Sequence, residues 1–341
     1  MVTWEPYAEA EGSQGWNSLL LQADDYTVFQ SFEWGEYKRG TGWQPLRYVG
    51  YKHGGKVAGL AQVLVKLLPF GLGVVWAPGG PVLRFEGSSD PLGRDLSVLI
   101  DDLHKQFPRA LVRFDSHMAH DATLTYAFNQ SCRRPLFKLN SGYSIRMNLA
   151  ALGDGFARQM TSKHRYYVKK GEGASLRWES GSSGRDIGAL ARIHGKMVTE
   201  KNIPSIATSE TDIVNLRCAL GEQGITILTG YLDEEPVTSC LTFDFGNKSI
   251  YMVAATEAKG REIGAAYAMV ARLIALLQQK GIREFDFGGL DPARPSAEGV
   301  NHFKRGFGGK IVEYLGEWEA ARTDLVRWGT NLAIWKRRGR V

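Results

Sequence analysis

Cysteine is scarce in this chain, and Cys132, Cys218 and Cys240 stand far apart. No C-x-x-C pair exists to hold zinc and an odd count suits no disulfide framework, so a reducing compartment is expected. Long apolar runs are missing too. The most apolar stretch, GLAQVLVKLLPFGLGVVWAPGGPV (59–82), contains Lys66 and is broken by Pro69, Gly71 and Gly73. A membrane span needs ~20 predominantly apolar residues, so this stretch reads as strands and turns. The opening MVTWEPYAEAEGSQGW has neither the basic nor the apolar region of a secretory leader. A cytoplasmic protein is the expectation. Also absent are a G-x-S-x-G elbow and a P-loop, so no covalent nucleophile is indicated. The histidines of HMAH (117–120) have no third ligand at a recognised spacing and read as a loop, so no metal is expected.

What is present is an ordinary globular composition in a long chain. At 341 residues it exceeds what one hydrophobic core usually organises, which predicts two domains. Forty-two Lys and Arg against 36 Asp and Glu leave a charge of +6, which suits a polyanionic ligand without demanding one. The element pattern recurs. A short helix at SFEWGEYKRG (31–40), a hairpin around HGGK, a helix over 90–108 and the strand ALVRFDS (110–116) make the first pass. Helices over 182–202 and 210–224, three alternating strands, a helix over 264–281 and the strand IREFDFGG make the second. This order predicts an α+β fold of two acyltransferase-like units with mixed sheets, joined near residue 150, with the domain cleft as the expected ligand site.

Four segments carry chemistry. FKRGFGG (303–309) sets Lys304 and Arg305 between two aromatics and next to three glycines, so fixed positive charge meets a backbone able to come close to a ligand. The bland alternative is a bulge with solvated charges. Asp115 in RFDS, expected at a strand's C-terminal end, can orient an amine or cap the next turn. REIGAA (261–266) matches the R-x-x-G-x-A form of the loop that cradles CoA pyrophosphate in GNAT acetyltransferases, or is a plain helix start. KHRYYVKK (163–170) and WKRRGR (335–340) interleave aromatics with cations, which fits either a phosphate backbone or a solvated helix face.

Taken together, FQSFEWGEYK, the RFD strand, SKHRYYVKK, MVTEKN and EFDFGGLDP leading to HFKRGFGG and YLGEW resemble the Fem family of non-ribosomal peptidyltransferases, in family order over nearly the whole chain. The resemblance implies two tandem GNAT-like domains, 1–149 and 150–317, with 318–341 returning to the first. It also implies transfer of an amino acid from aminoacyl-tRNA to an amine of a peptidoglycan-precursor peptide, with no cofactor. By the same resemblance, Lys304 sits at the aminoacyl ester and steadies charge on its carbonyl oxygen, while the glycines admit the tRNA terminus. Phe303 packs beside the acceptor end, and Arg305 adds a neighbouring cation. Lys38 matches a lysine that binds the diphosphate of a nucleotide-linked precursor. Thr199 and Lys201 match a T-x-R pair with that task, although lysine lacks arginine's bidentate fork and an expected tyrosine falls on Ser205. Asp115 and Tyr251 match groups that position the acceptor peptide. The alternatives are an acyl-CoA-dependent N-acyltransferase acting on an envelope polysaccharide or small amine, and a non-catalytic RNA-binding module.

Overall fold

The computed structural model describes residues 2–85, 93–153, 155–201 and 208–338. The chain divides into two compact units, residues 1–142 with 313–341 and residues 143–312, against the expected divisions at 149/150 and 317/318.

In the first unit the strands β1 (Val2–Pro6), β2 (Gln44–Lys52), β3 (Val57–Leu67) and β4 (Gly73–Pro78) pair antiparallel in sequence order. β5 (Ala110–Ala119) lies parallel to β4 after the crossover helix Gly93–Gln106. The second unit holds β6 (Tyr143–Asn148), β7 (Arg177–Gly181), β8 (Ile225–Leu232), β9 (Glu235–Phe245), β10 (Lys248–Thr256) and β11 (Glu284–Asp286). There β7 to β10 pair antiparallel, β11 lies parallel to β10 after the helix Ala265–Gln279, and β6 closes the far side antiparallel to β11. The last strand, β12 (Lys310–Ala320), pairs antiparallel with β5 and does for the first unit what β6 does for the second.

Alternation along the strands explains why the first sheet has two unlike faces. Val63, Val65, Val75, Ala77, Val112, Phe114 and Trp318 share a buried core with Leu96, Leu99 and Leu103 of the crossover helix. Their neighbours in the strands bring charge to the opposite face. Register aligns Arg47 with Gln62, Arg113 with Glu319 and Asp115 with Glu317, and all six side chains are buried. The second unit buries Val270, Leu273, Ile274 and Leu277 of its crossover helix against Ile145, Met147, Phe285 and Phe287.

Two sequence readings change. Asp115 is not at a strand end: β5 continues to Ala119, carrying His117 with it, so HMAH is largely strand rather than loop. Asp115 is instead the position where β4, the parallel neighbour, stops, because Pro78 is its register partner.

Candidate active site

The helix Glu298–Arg305 carries Lys304 in its last turn, and FKRGFGG bends from that helix into β12. Lys304 Nζ donates to the carbonyls of Gly288 (3.2 Å) and Gly289 (2.6 Å), just past the end of β11. Burial lowers its pKa to about 8, with the Asp286 carboxylate opposing the shift. An ammonium has three donors, and two are committed to carbonyls, which leaves one for a substrate.

The carbonyl cradle is itself fixed. Asp286 Oδ1 accepts from Gly288 N at 2.8 Å and from Ser144 Oγ, while Oδ2 accepts from Arg146 Nε at 3.3 Å. Gly288 has φ 68°, and a Cβ there would lie 2.7 Å from the Tyr251 carbonyl oxygen. Only glycine lets the chain turn this close to β10. Asn301, three residues before Lys304 and fully buried, brackets Asp291 by donating to its carbonyl (2.7 Å) and accepting from its N–H (3.1 Å). The loop after β11 is thereby tied to the lysine's own helix.

His164 anchors the other side of that helix. Its Nε2 stands 3.0 Å from the Phe303 carbonyl and its Nδ1 2.8 Å from Thr161 Oγ1. A carbonyl can only accept, so Nε2 carries the proton and the threonine hydroxyl donates to Nδ1. Burial lowers the histidine's pKa, which favours this neutral form. A Cβ on Gly306 would fall 1.8 Å from His164 Cε1. The glycines of FKRGFGG therefore have an internal reason to be there. Gly306 makes room for His164, while Gly308 and Gly309 turn with φ of 92° and 87° against Gln159 and Arg146. This packing role stands beside the expected one, the approach of a tRNA end.

Phe303 is half-buried, edge-on to Phe307 (5.0 Å) and Tyr267 (5.1 Å). Arg305 is exposed at the helix end. Tyr251 is buried edge-on to Phe285 and Phe287, and burial raises its hydroxyl pKa well above the ordinary value. Thr199 lies in the helix Gly184–Lys201 with its hydroxyl on the Gly195 carbonyl at 3.0 Å. The Lys201 side chain and Ser205 lie outside the described residues. Thus Lys304, Phe303, Arg305 and Tyr251 gather around the end of β11, joined by Asn301, His164 and Asp286. Asn301 was legible in principle, since three-residue spacing puts it on the lysine's helical face.

REIGAA does not form an open phosphate loop. Residues 258–263 are helical, and Gly264 (φ 78°) links them to Ala265–Gln279. That junction is packed by the helix Ser162–Glu172: a Cβ on Gly264 would lie 2.7 Å from the Tyr167 carbonyl, and one on Gly171 would lie 2.7 Å from the Gly264 carbonyl. Arg261 turns back to the Thr256 carbonyl at 2.6 Å.

The first unit gathers Lys38 and Asp115 into one cluster. The helix Phe32–Gly40 is capped by Ser31 Oγ on Trp34 N (3.2 Å) and held by buried Arg47, which donates to the Phe32 carbonyl (3.0 Å), Glu36 (3.0 Å) and Gln62 (2.8 Å). Lys38 Nζ lies over Trp34 (4.7 Å) and Tyr37 (5.0 Å), and burial, then the nearby Lys66 charge, lowers its pKa. Trp34 meets Phe29, Phe29 meets His117, and His117 stacks on Tyr314 at 4.9 Å. His117 Nε2 is 3.8 Å from Asp115 Oδ2, which accepts from Asn140 Nδ2 at 2.6 Å. Beside it Glu317 is held by Arg113 (3.3 Å) and Leu139 N (2.6 Å). Burial raises its pKa, Arg113 opposes that, and the Asp115 charge adds to it. Among the described residues no cluster of His, Cys, Asp and Glu has the arrangement of a metal site, and no helix is long and apolar enough to cross a membrane.

The sequence model of the FemAB family matches residues 221–333, the stretch from the end of the Glu210–Leu220 helix through β12 and into the helix Asp324–Arg338. No curated protein sequence matches the chain. A FemX crystal structure aligns with a TM-score of 0.80 at 15% identity, covering 96% of this chain and 100% of that one. L-PGS from Bacillus licheniformis aligns at 0.56 with 14% identity over 93% and 95%. A tandem GNAT protein from the clavulanic acid biosynthesis pathway aligns at 0.54 with 13% identity over 94% and 98%. The resemblance to the Fem family holds, and the fold is α+β with two tandem GNAT-like units.

Proposed function

From a Fem-like chain of two GNAT-like units, we propose an aminoacyltransferase that moves an amino acid from aminoacyl-tRNA to an amine of a peptidoglycan-precursor peptide. The observation that carries this is the half-buried Lys304 ammonium, held on two carbonyls with a third donor in reserve. The neutral acceptor amine attacks the ester carbonyl carbon, so a C–N bond forms. Negative charge gathers on the carbonyl oxygen, where Lys304 donates. Collapse breaks the bond to the tRNA ribose oxygen, which leaves with the proton the amine gives up. The ester is already activated, so orientation and charge stabilisation supply most of the acceleration and no cofactor is needed. In this reading Asp115 and Tyr251 orient the acceptor peptide, while Lys38, Thr199 and Lys201 hold its phosphates. The Gly264 junction supports this donor over acyl-CoA, because residues 258–263 are helical and not an open loop, and the Tyr167 carbonyl packs against Gly264.

A donor assay tests the reading. Purified protein is given labelled aminoacyl-tRNA pools or acetyl-CoA together with a panel of amine acceptors. RNase-sensitive transfer that collapses in Lys304→Ala is the expected result. Transfer from acyl-CoA alone overturns it.

A further inference from the structure

The helix Asp324–Arg338 turns an apolar stripe outward. Its protein-facing side holds Val326 and Ile334 together with polar anchors: Arg327 Nε donates to Glu319 Oε1 at 2.7 Å, and buried Asn331 donates to Glu319 Oε2 at 3.0 Å. Its outward side carries Leu325 (83% exposed), Trp328 (59%), Leu332 (49%) and Trp335 (53%). Their spacing of three, four and three residues sets all four on one exposed stripe, while Val326, Arg327, Thr330, Asn331 and Ile334 turn inward. Trp335 also leans on the partly exposed Phe137, ring centroids 6.5 Å apart, which widens the patch. A helix already anchored on one side that shows two tryptophans and two leucines on the other presents a surface that is itself waiting to be covered. Lys336 is exposed at the edge of the stripe, and the sequence adds Arg337, Arg338 and Arg340.

We propose that this helix is a peripheral membrane-docking surface, seating Leu325, Trp328, Leu332 and Trp335 in the headgroup region of an anionic bilayer. Tryptophan favours the boundary between headgroups and acyl chains, leucine adds apolar area, and the adjoining cations meet the anionic lipid surface. The charge argues for this occupant. A second copy of the chain would bring the same cations face to face, and a nucleic acid would leave the two leucines without a counterpart. The proposal does not depend on which acyl donor the protein uses. If the acyl acceptor is a peptidoglycan precursor, the inference specifies its lipid-linked form.

The test is co-sedimentation of the full chain with phosphatidylcholine vesicles, with and without about a third phosphatidylglycerol. Anionic vesicles should bind the protein roughly tenfold more tightly than neutral ones, and added salt should weaken the binding. Trp328→Ser/Trp335→Ser should lower binding at least about tenfold and Lys336→Glu several-fold, with the melting temperature unchanged because these side chains face outward. Quenching by brominated lipid should vanish in the double variant. Absence of vesicle binding, or binding undiminished in the double variant, overturns the proposal. So does a wild-type dimer that the double variant dissolves, or a loss of tRNA affinity in that variant in place of vesicle binding. The assay has no transfer step, so it can fail or succeed independently of the aminoacyltransferase reading.

Discussion

The two units share a strand plan and differ where the parallel pair ends. In the first unit β4 and β5 stay in register over six pairs, Gly73–Pro78 with Ala110–Asp115, so β4 is paired along its whole length. In the second, β10 and β11 hold only three, Lys248–Ile250 with Glu284–Asp286, and β10 runs on to Thr256 paired with β9 only. The chain leaves β11 through the positive-φ turn at Gly288, opening the sheet beside Tyr251. Free backbone carbonyls appear there, and Lys304 sits on two of them. Both units spend charged residues on buried ties, Arg113 with Glu317 in the first, closed unit and Asp244 with Lys280 in the second, open one, but in the second Lys304 rests on loop carbonyls and on no carboxylate. In the proposed reading, the length over which two parallel strands stay together decides where one topology offers carbonyls to a lysine.

Variants on each side probe this contrast. Arg113→Ala in the closed unit should cost ~3–5 kcal/mol of stability in denaturant unfolding, because Glu317 is left buried without its cation and Glu319 keeps only the Arg327 cation. If unfolding is unchanged, the charged face of the first sheet is not a structural tie. Lys304→Ala in the open unit should instead leave the melting curve largely intact and lower transfer ~10²–10³-fold. Its pH profile carries the sign. With a pKa of about 8, the active ammonium is present below that pH and is lost as pH rises through it, so wild-type transfer should fall on the alkaline side. Activity that keeps climbing well above pH 8 would remove the cation from the mechanism.

Smaller effects sharpen the account of the open unit. Gly306→Ala should destabilise it by ~1–3 kcal/mol through overpacking on His164, and His164→Ala in the same chain should recover much of that loss. Additive losses would show that the two sites do not share a space. The smallest effect is in the acid range. His164 has its pKa lowered from 6.5 by burial, as do His104 and His194, so the folded state prefers all three neutral. Their contribution to stability is full above the ordinary histidine pKa and shrinks as pH falls through 6.5 toward the lowered values. His164→Gln should make the acid-side decline in melting temperature shallower without abolishing it.

The sequence by itself determined what depends on neighbours a few residues away. Alternating apolar residues announced the strands, Ser31 announced the start of its helix, and the FemAB-like blocks announced Lys304 as the residue to watch. Local spacing also put Asn301 on the lysine's face, although its tie to Asp291 had to be seen. What the tertiary structure alone decided are contacts between residues far apart in the chain. Nothing near Gly306 says that His164 fills the space beside it, and nothing near Asp115 says that the neighbouring strand ends there or that Glu317 lies opposite. REIGAA shows the limit most clearly. Its six letters fit a phosphate loop, yet residues 258–263 fold as a helix and the distant Tyr167 carbonyl packs so closely on Gly264 that no side chain would fit there.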